Sequence, residues 1–361
     1  MKIKLLSPIH IGAGEEKTLS PYADYIYQGG YVYYIDHNKL ENWILSQKNP
    51  AQIMDDLIDG IKERKGLKEF FDKYNLSVED YATHRTTILG DPKKEKIKRI
   101  VTNAGLPYIP GSSIKGAIRT AILWKIQKNR KIDFINFMRR YSRKKFSYIG
   151  QDIFEKFDND VMKFLQVSDT KTYSREEIEV VNIKRISLTK PKITLSQRGI
   201  PSWVEVIRTQ REVNFEMRQK GERVNSIREE LAGYLFKKSG MADILTVLNE
   251  FSKKIIEFEI NVLKNQYFNS VVEFYKRILD EIKNLTNKEA ILRIGYGKTF
   301  FDNTIDLLFN PEEIDKIRKE ENIGYSPKGK KLANPFPITR WICFDTQGNP
   351  EGVLGWVKIS E

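Results

Sequence analysis

Residues 107–126 read PYIPGSSIKGAIRTAILWKI. After Pro110 the segment follows a helical period. Ile114, Ala117, Ile118, Ala121, Ile122 and Ile126 recur at three- and four-residue spacings and give one apolar face. Pro110-Gly111 stops the extended segment before it. Ser112 or Ser113 is placed to cap the helix by accepting a bond from a backbone N–H one turn on. Free N–H groups and the helix dipole favour an anion at such a start. Lys115 and Arg119, four apart, project from the same side of the first turns. Gly116 and Ala117 keep that side low, so a phosphodiester backbone can come close to the main chain. Gly111, Ser112, Ser113, Lys115, Gly116 and Arg119 are therefore candidate phosphate-binding residues. The same residues fit equally well an ordinary capped helix flanked by two solvated cations.

The segment is not a nucleotide-triphosphate loop. That motif needs Gly, four residues, then Gly-Lys-Ser/Thr after a strand. Here the lysine precedes the second glycine, no hydroxyl follows it, and Pro107 and Pro110 stand where the strand should be.

The surrounding charge points to a different anion. The chain of 361 residues carries a net charge of +13. Residues 83–145 hold 17 Lys and Arg against 3 Asp and Glu, so the whole excess sits in this segment. A lysine-rich surface would spread its charge along the chain; a polyanion partner accounts for the concentration. One cysteine, Cys343, allows no intrachain disulfide and no cysteine cluster for zinc, which fits a reducing compartment. The N-terminus lacks the apolar stretch of a signal peptide, and no run of about 18 apolar residues exists. The expectation is a soluble, cytoplasmic protein with no membrane partner and no cofactor.

The length allows one large or two ordinary cores. Lys2 to Leu6 reads as a first strand. Residues 24–27 and 31–35 read as a hairpin across Gln28-Gly29-Gly30. Helical patterns run over 39–46, 51–64 and 67–74. Residues 83–110, with little periodicity, are expected to form a long basic loop. A second helix is expected over 133–145 and a strand over 163–167. Residues 179–218 are β-rich. Within them KRISLTKPKITLSQRG (184–199) is expected to form a protruding hairpin, whose Lys184, Arg185 and Arg198, with Trp203 beyond, suit single-stranded RNA. Residues 223–284 are helical. Residues 340–344 and 353–359 read as a closing β pair.

Near each end a strand runs into a Gly-x-Gly loop: KLLSPIHIGAG (4–14) and ILRIGYGKTFF (291–301). This weak repeat implies two related α+β halves. Gly295, Gly297 and Lys298 permit close approach to a phosphate, with Tyr296 or Phe300 to stack. Gly12 and Gly14 are a lesser candidate of the same kind.

Catalytic constellations are thin. His10, His37 and His84 are scattered, and no paired acids mark a two-metal nuclease. Asp24 and Asp169 are solitary. No catalytic or metal-binding residue is assigned. The alternative is a metal-independent ribonuclease with His10 as general base.

SPIHIGAGEE (7–16), IPGSSIKGAIRTAIL (109–123), FLQVSDT (164–170) and RIGYGKTFF (293–301), in this order along the chain, resemble the RAMP superfamily of CRISPR RNA-binding proteins. The length, the helical middle and the ending PFPITRWICF…LGWVKI are most similar to the fifth subunits of type III-A Csm complexes; Cmr subunits share the motifs. The resemblance implies an α+β fold of two ferredoxin-like (RRM-like) domains with a protruding hairpin and a large helical insertion. The halves are expected at 1–220 and 221–361. It further implies a non-catalytic role binding crRNA at its 3′-end side. The implied partners are the other Csm subunits, especially the repeated backbone subunit, and trimming nucleases.

Overall fold

The computed structural model describes residues 1–14, 17–141, 150–188, 199–219, 229–264, 268–326, 329 and 331–361. Two main sheets and two groups of helices divide the work of the fold, which is α+β as expected. In the smaller sheet the order is Glu212–Asn214, Lys2–Leu5, Trp356–Ser360, Glu289–Arg293, all antiparallel. Strands from both sides of position 220 thus share one sheet. Alternation sets its buried face: Ile3, Leu5, Ala290, Leu292, Val357 and Ile359 are fully or almost fully buried. The long helix Gly240–Leu263 lies against it. Two of its side chains replace water for the strand backbone: Asn249 bonds Glu289 O and Ile291 N, and Ser252 Oγ donates to Ile291 O. Helices Asn269–Lys283 and Gly111–Asn129 pack on that helix in turn.

The larger sheet has nine strands among the described residues. Its spine is the antiparallel pair Ile178–Ser187 and Ile200–Ile207. The hairpin expected over 184–199 begins where this pair ends, and residues 189–198, with Arg198, lie outside the described residues. The hairpin Tyr25–Gln28/Tyr31–Ile35 forms one edge, with its turn at Gly29-Gly30 where both φ are positive. Three helices, His37–Ser46, Pro50–Lys62 and Leu67–Lys73, cover this edge through Leu40, Ile44, Phe70 and Phe71. Asp36 caps the first by accepting from the amides of Asn38 and Lys39.

Two expectations fail. Residues 83–110 are not a long loop: Ala82–Ile88 is a seven-residue strand, and Ile97–Lys98 adds to the same sheet. Its polar run Thr83-His84-Arg85-Thr86-Thr87 hides the strand from a hydrophobic pattern, yet Thr86 and Ile88 are buried beneath neighbours supplied from elsewhere in the chain. Nor do residues 340–344 pair with 353–359. Thr339–Phe344 pairs with Ile178–Ser187, turns back at Asp345, whose carboxylate accepts from Gln347 and Asn349 amides, and meets Pro350–Gly352 on its other side. The chain then crosses to the smaller sheet, where Trp356–Ser360 fills the gap between two earlier strands.

Candidate nucleic-acid interface

The helix Gly111–Asn129 begins where expected, but its cap differs. Pro110 occupies the N-cap, and neither serine caps the helix. Asp169 Oδ1 accepts from Gly111 N at 2.8 Å. The anion that the helix start favours is thus a carboxylate of this chain, reaching in from the strand Leu165–Val167 and the turn after it. Asp169 takes the Gly111 amide, one of the donors of that first turn. Gly111 is glycine because that turn passes so close: a Cβ there would overlap the carbonyls of Val167 and Ser168, the latter at 2.5 Å.

Lys115 and Arg119 are not equivalent. The Arg119 guanidinium meets Asp160 at 2.5 Å and lies 4.2 Å above the Phe154 ring. Asp160 also accepts from Met162 N at 2.8 Å. Arg119 therefore ties the helix to the next segment and is a poor candidate for gripping RNA. Lys115 is half-buried, and burial lowers its pKa, opposed by Asp160. Ser112 and Gly116 are exposed, and nothing lies within 4 Å of where a Gly116 Cβ would be. The open part of the motif is thus Ser112, Lys115 and Gly116.

The two Gly-x-Gly loops, almost the whole chain apart in sequence, meet. Tyr296 N donates to His10 O at 2.8 Å. Gly295 has φ +74°, and a Cβ would lie 2.6 Å from His10 O; Gly297 has φ +88°. Both conformations suit glycine alone. Buried Arg293 holds the second loop from beneath, donating to Asp302 at 3.0 Å, Gly297 O at 2.9 Å and Leu354 O at 3.1 Å. Asp302 also accepts from Thr299 N. The first loop is fixed against residues 99–101: Ala13 N donates to Arg99 O and Val101 N to Ile11 O. Gly12 and Gly14 are exposed. Lys298 is half-buried, and burial lowers its pKa.

Lys98 and Arg99 join this edge, and neither was singled out by the sequence reading. Their signal in the sequence is the basic run 93–99, which carries too little periodicity to read as a strand. Half-buried His84 stacks on Tyr34 at 4.1 Å. Its imidazole is held down to about 4, chiefly by burial and then by Arg175 and Arg99 nearby. Trp203, expected to face RNA, is instead buried with Val32, Tyr34, Ile97 and Val180. Phe300 packs between Phe301 and Phe336. Lys184 lies 4.6 Å from the Phe344 ring, and Arg185 is exposed.

His10 is 1% exposed. Its Nδ1–H donates to Glu205 O at 2.7 Å, and its ring stands edge-on to Tyr296 at 5.5 Å. In this structure the ring is shielded from solvent, which makes it a poor general base for a ribose hydroxyl. Burial pushes the imidazole down to about 4. A depressed imidazole stabilises the fold fully above about pH 6.5 and loses that contribution as pH falls toward 4, because the unfolded chain takes the proton first. The loss is on the order of 3 kcal/mol. Asp306, raised to about 6 by burial, opposes it over the same window. Comparing urea midpoints of wild type and His10→Gln from about pH 7 to about pH 4.5 isolates the histidine. The wild type is expected to lose more on acidification; parallel pH profiles would contradict the assignment.

Among the described residues no three His, Cys, Asp or Glu are grouped to hold a metal, and no helix is long and apolar enough to cross a membrane. A family model of the RAMP superfamily matches residues 2–301. The chain belongs to the RAMP superfamily. Among RAMP relatives it is 25% identical over 393 aligned positions to the CRISPR system Cms protein Csm5 of Methanocaldococcus jannaschii, covering 100% of this chain and 88% of that one. Against the Csm5 of Streptococcus thermophilus it is 26% identical over 245 positions, covering 64% and 66%. The RAMP fold matches a chain of a cryo-EM Csm–crRNA–target RNA ternary complex of a type III-A CRISPR-Cas system. The TM-score there is 0.74 at 23% identity, over 100% of this chain and 99% of that one. The crystal structure of T. onnurineus Csm5 matches with TM-score 0.71 at 22% identity, over 99% and 100%. The expected resemblance to fifth Csm subunits is thereby met.

Proposed function

We propose that this RAMP protein binds crRNA without cutting it, as the Csm5-type subunit of a cytoplasmic type III-A complex, at the 3′-end side of the guide. Its partners on this reading are crRNA, the other Csm subunits, above all the repeated backbone subunit, and the nucleases that trim the guide. The observation that carries the reading is the meeting of the two glycine loops at an edge bearing Lys98, Arg99 and Lys298. Close backbone approach and unpaired cations are what a sequence-independent grip on phosphates needs. The open helix start at Ser112, Lys115 and Gly116 supports it.

Filter binding of single-stranded RNA across a salt series tests this. Affinity is expected to fall steeply with salt. Lys115→Ala and Lys298→Ala are each expected to weaken binding about 3- to 10-fold and to flatten the log–log slope by about 0.7. Salt-insensitive binding, or none, would reject the reading. Repeat RNA incubated with the protein in EDTA is expected to stay intact; defined products would reject the non-catalytic part.

A further inference from the structure

We infer that Trp341, with Tyr296, Arg185 and Lys98, forms a stacking site for an unpaired nucleobase of bound RNA. The inference rests on the RNA-binding reading and adds to it a subsite that engages bases as well as phosphates.

Strand register brings the four residues together. Arg185 stands opposite Trp341 on one side and Ile200 on the other. Four residues along the same strand, Val181 is opposite Val204, which is opposite Lys98. Because side chains alternate, Lys98, Arg185, Trp341 and Ile200 share one face of the large sheet. The middle of that face is sealed by Val181, Ile183, Val204, Cys343 and Leu354. At its margin the apolar surface comes out to solvent: Tyr296 and Trp341 are half-buried, and Ile200 is 60% exposed.

The rings are set rather than free. Tyr296 and Trp341 lie 5.2 Å apart at 47°. Tyr296 is fixed by its backbone bond to His10 and by the His10 ring. Lys98 Nζ donates to the Tyr296 hydroxyl at 3.0 Å, 4.7 Å from that ring and 5.7 Å from the indole. The Arg185 guanidinium lies 5.9 Å from the indole. Among the described residues neither cation pairs with a carboxylate. The contrast with the other tryptophans is informative. Trp124, Trp203 and Trp356 are buried, and Trp43 packs against Tyr74 and Tyr81 within the helical edge. A partly exposed indole flanked by two unpaired cations is what a single-stranded nucleotide recognises: the base lies on the ring and its phosphates reach the cations. A duplex, whose bases are already stacked, cannot use it.

Tryptophan emission of the full chain provides the test, with three probes: a short single-stranded RNA, the same strand carrying abasic positions, and inorganic polyphosphate. The intact RNA is expected to quench emission on binding. The abasic strand is expected to bind roughly 5- to 150-fold more weakly without quenching, and polyphosphate to bind without quenching. Trp341→Ala should lose the quench and the same factor in RNA affinity. Trp341→Phe, which keeps a ring, should lose the quench and retain most of the affinity. Equal affinity for intact and abasic strands, or full quenching in Trp341→Phe, would overturn the stacking site while leaving phosphate binding in place. A wild-type chain that binds no RNA would overturn both.

Discussion

Gly111→Ala is expected to destabilise the chain by several kcal/mol, while Gly116→Ala, five residues on in the same motif, leaves stability unchanged or raised. A Cβ at Gly111 meets the backbone oxygens of Val167, in a paired strand, and Ser168, in the turn after it, whose N–H is bonded to Glu216 O, so neither swings aside freely. Either the helix start or the strand must shift. Overpacking of this kind costs about 1–3 kcal/mol and occasionally more. A shift also strains the bond from Gly111 N to Asp169, and bonds to charged groups contribute about 1.5–3 kcal/mol. At Gly116 the space is open, and alanine in a helix interior is favoured over glycine by up to about 1 kcal/mol. Urea unfolding of the two variants separates them. Equal midpoints would show that Gly111 is not wedged against the strand. If Gly116 lies under RNA, a larger side chain there weakens binding at unchanged stability.

Arg293→Ala should lower stability by about 3–5 kcal/mol, the usual effect of removing one partner from a buried ion pair. Arg293 and Asp302 side chains are 2% and 1% exposed. Deleting the guanidinium strands the carboxylate and frees the carbonyls of Gly297 and Leu354 at once. The second glycine loop then loses its floor, so amide exchange at Thr299 should speed up more than exchange in the distant helices 37–73. Uniform acceleration across the chain would mean that the pair supports the whole fold and not this loop in particular. Arg293→Lys should rescue little, since one ammonium cannot reproduce three directed bonds.

These two sites show what local pattern reveals and what it leaves out. The helix over 111–129, the three helices over 37–73 and the Gly29-Gly30 hairpin were legible because their signals lie within a few residues of one another. The meaning of the motifs inside them was not. The cap on Gly111 comes from a carboxylate 58 positions away, and the partner of Arg119 from 41 positions away. Both are satisfied by residues that no local window contains, so two cations that read alike, Lys115 and Arg119, part company. The same holds for Arg340 and Trp341. Arg340 is buried, 2.6 Å from Glu259, while the neighbouring tryptophan emerges at the surface. Polarity alone would have reversed the two. The stacking site was illegible because its members come from residues 98, 185, 296 and 341, joined only by register.

The pairing of Lys2–Leu5 with Trp356–Ser360 has a consequence in time as well as in space. Lys2–Leu5 stays without its central neighbour until Trp356–Ser360 has been made, roughly 20–70 s later at ordinary synthesis rates. During that interval the buried faces of Ile3 and Leu5, and the helix Gly240–Leu263 awaiting the completed sheet, remain open to other contacts. The smaller sheet therefore closes only after Trp356–Ser360 has been made, so growth of the nascent chain, not the speed of local helix formation, sets when its buried face is covered.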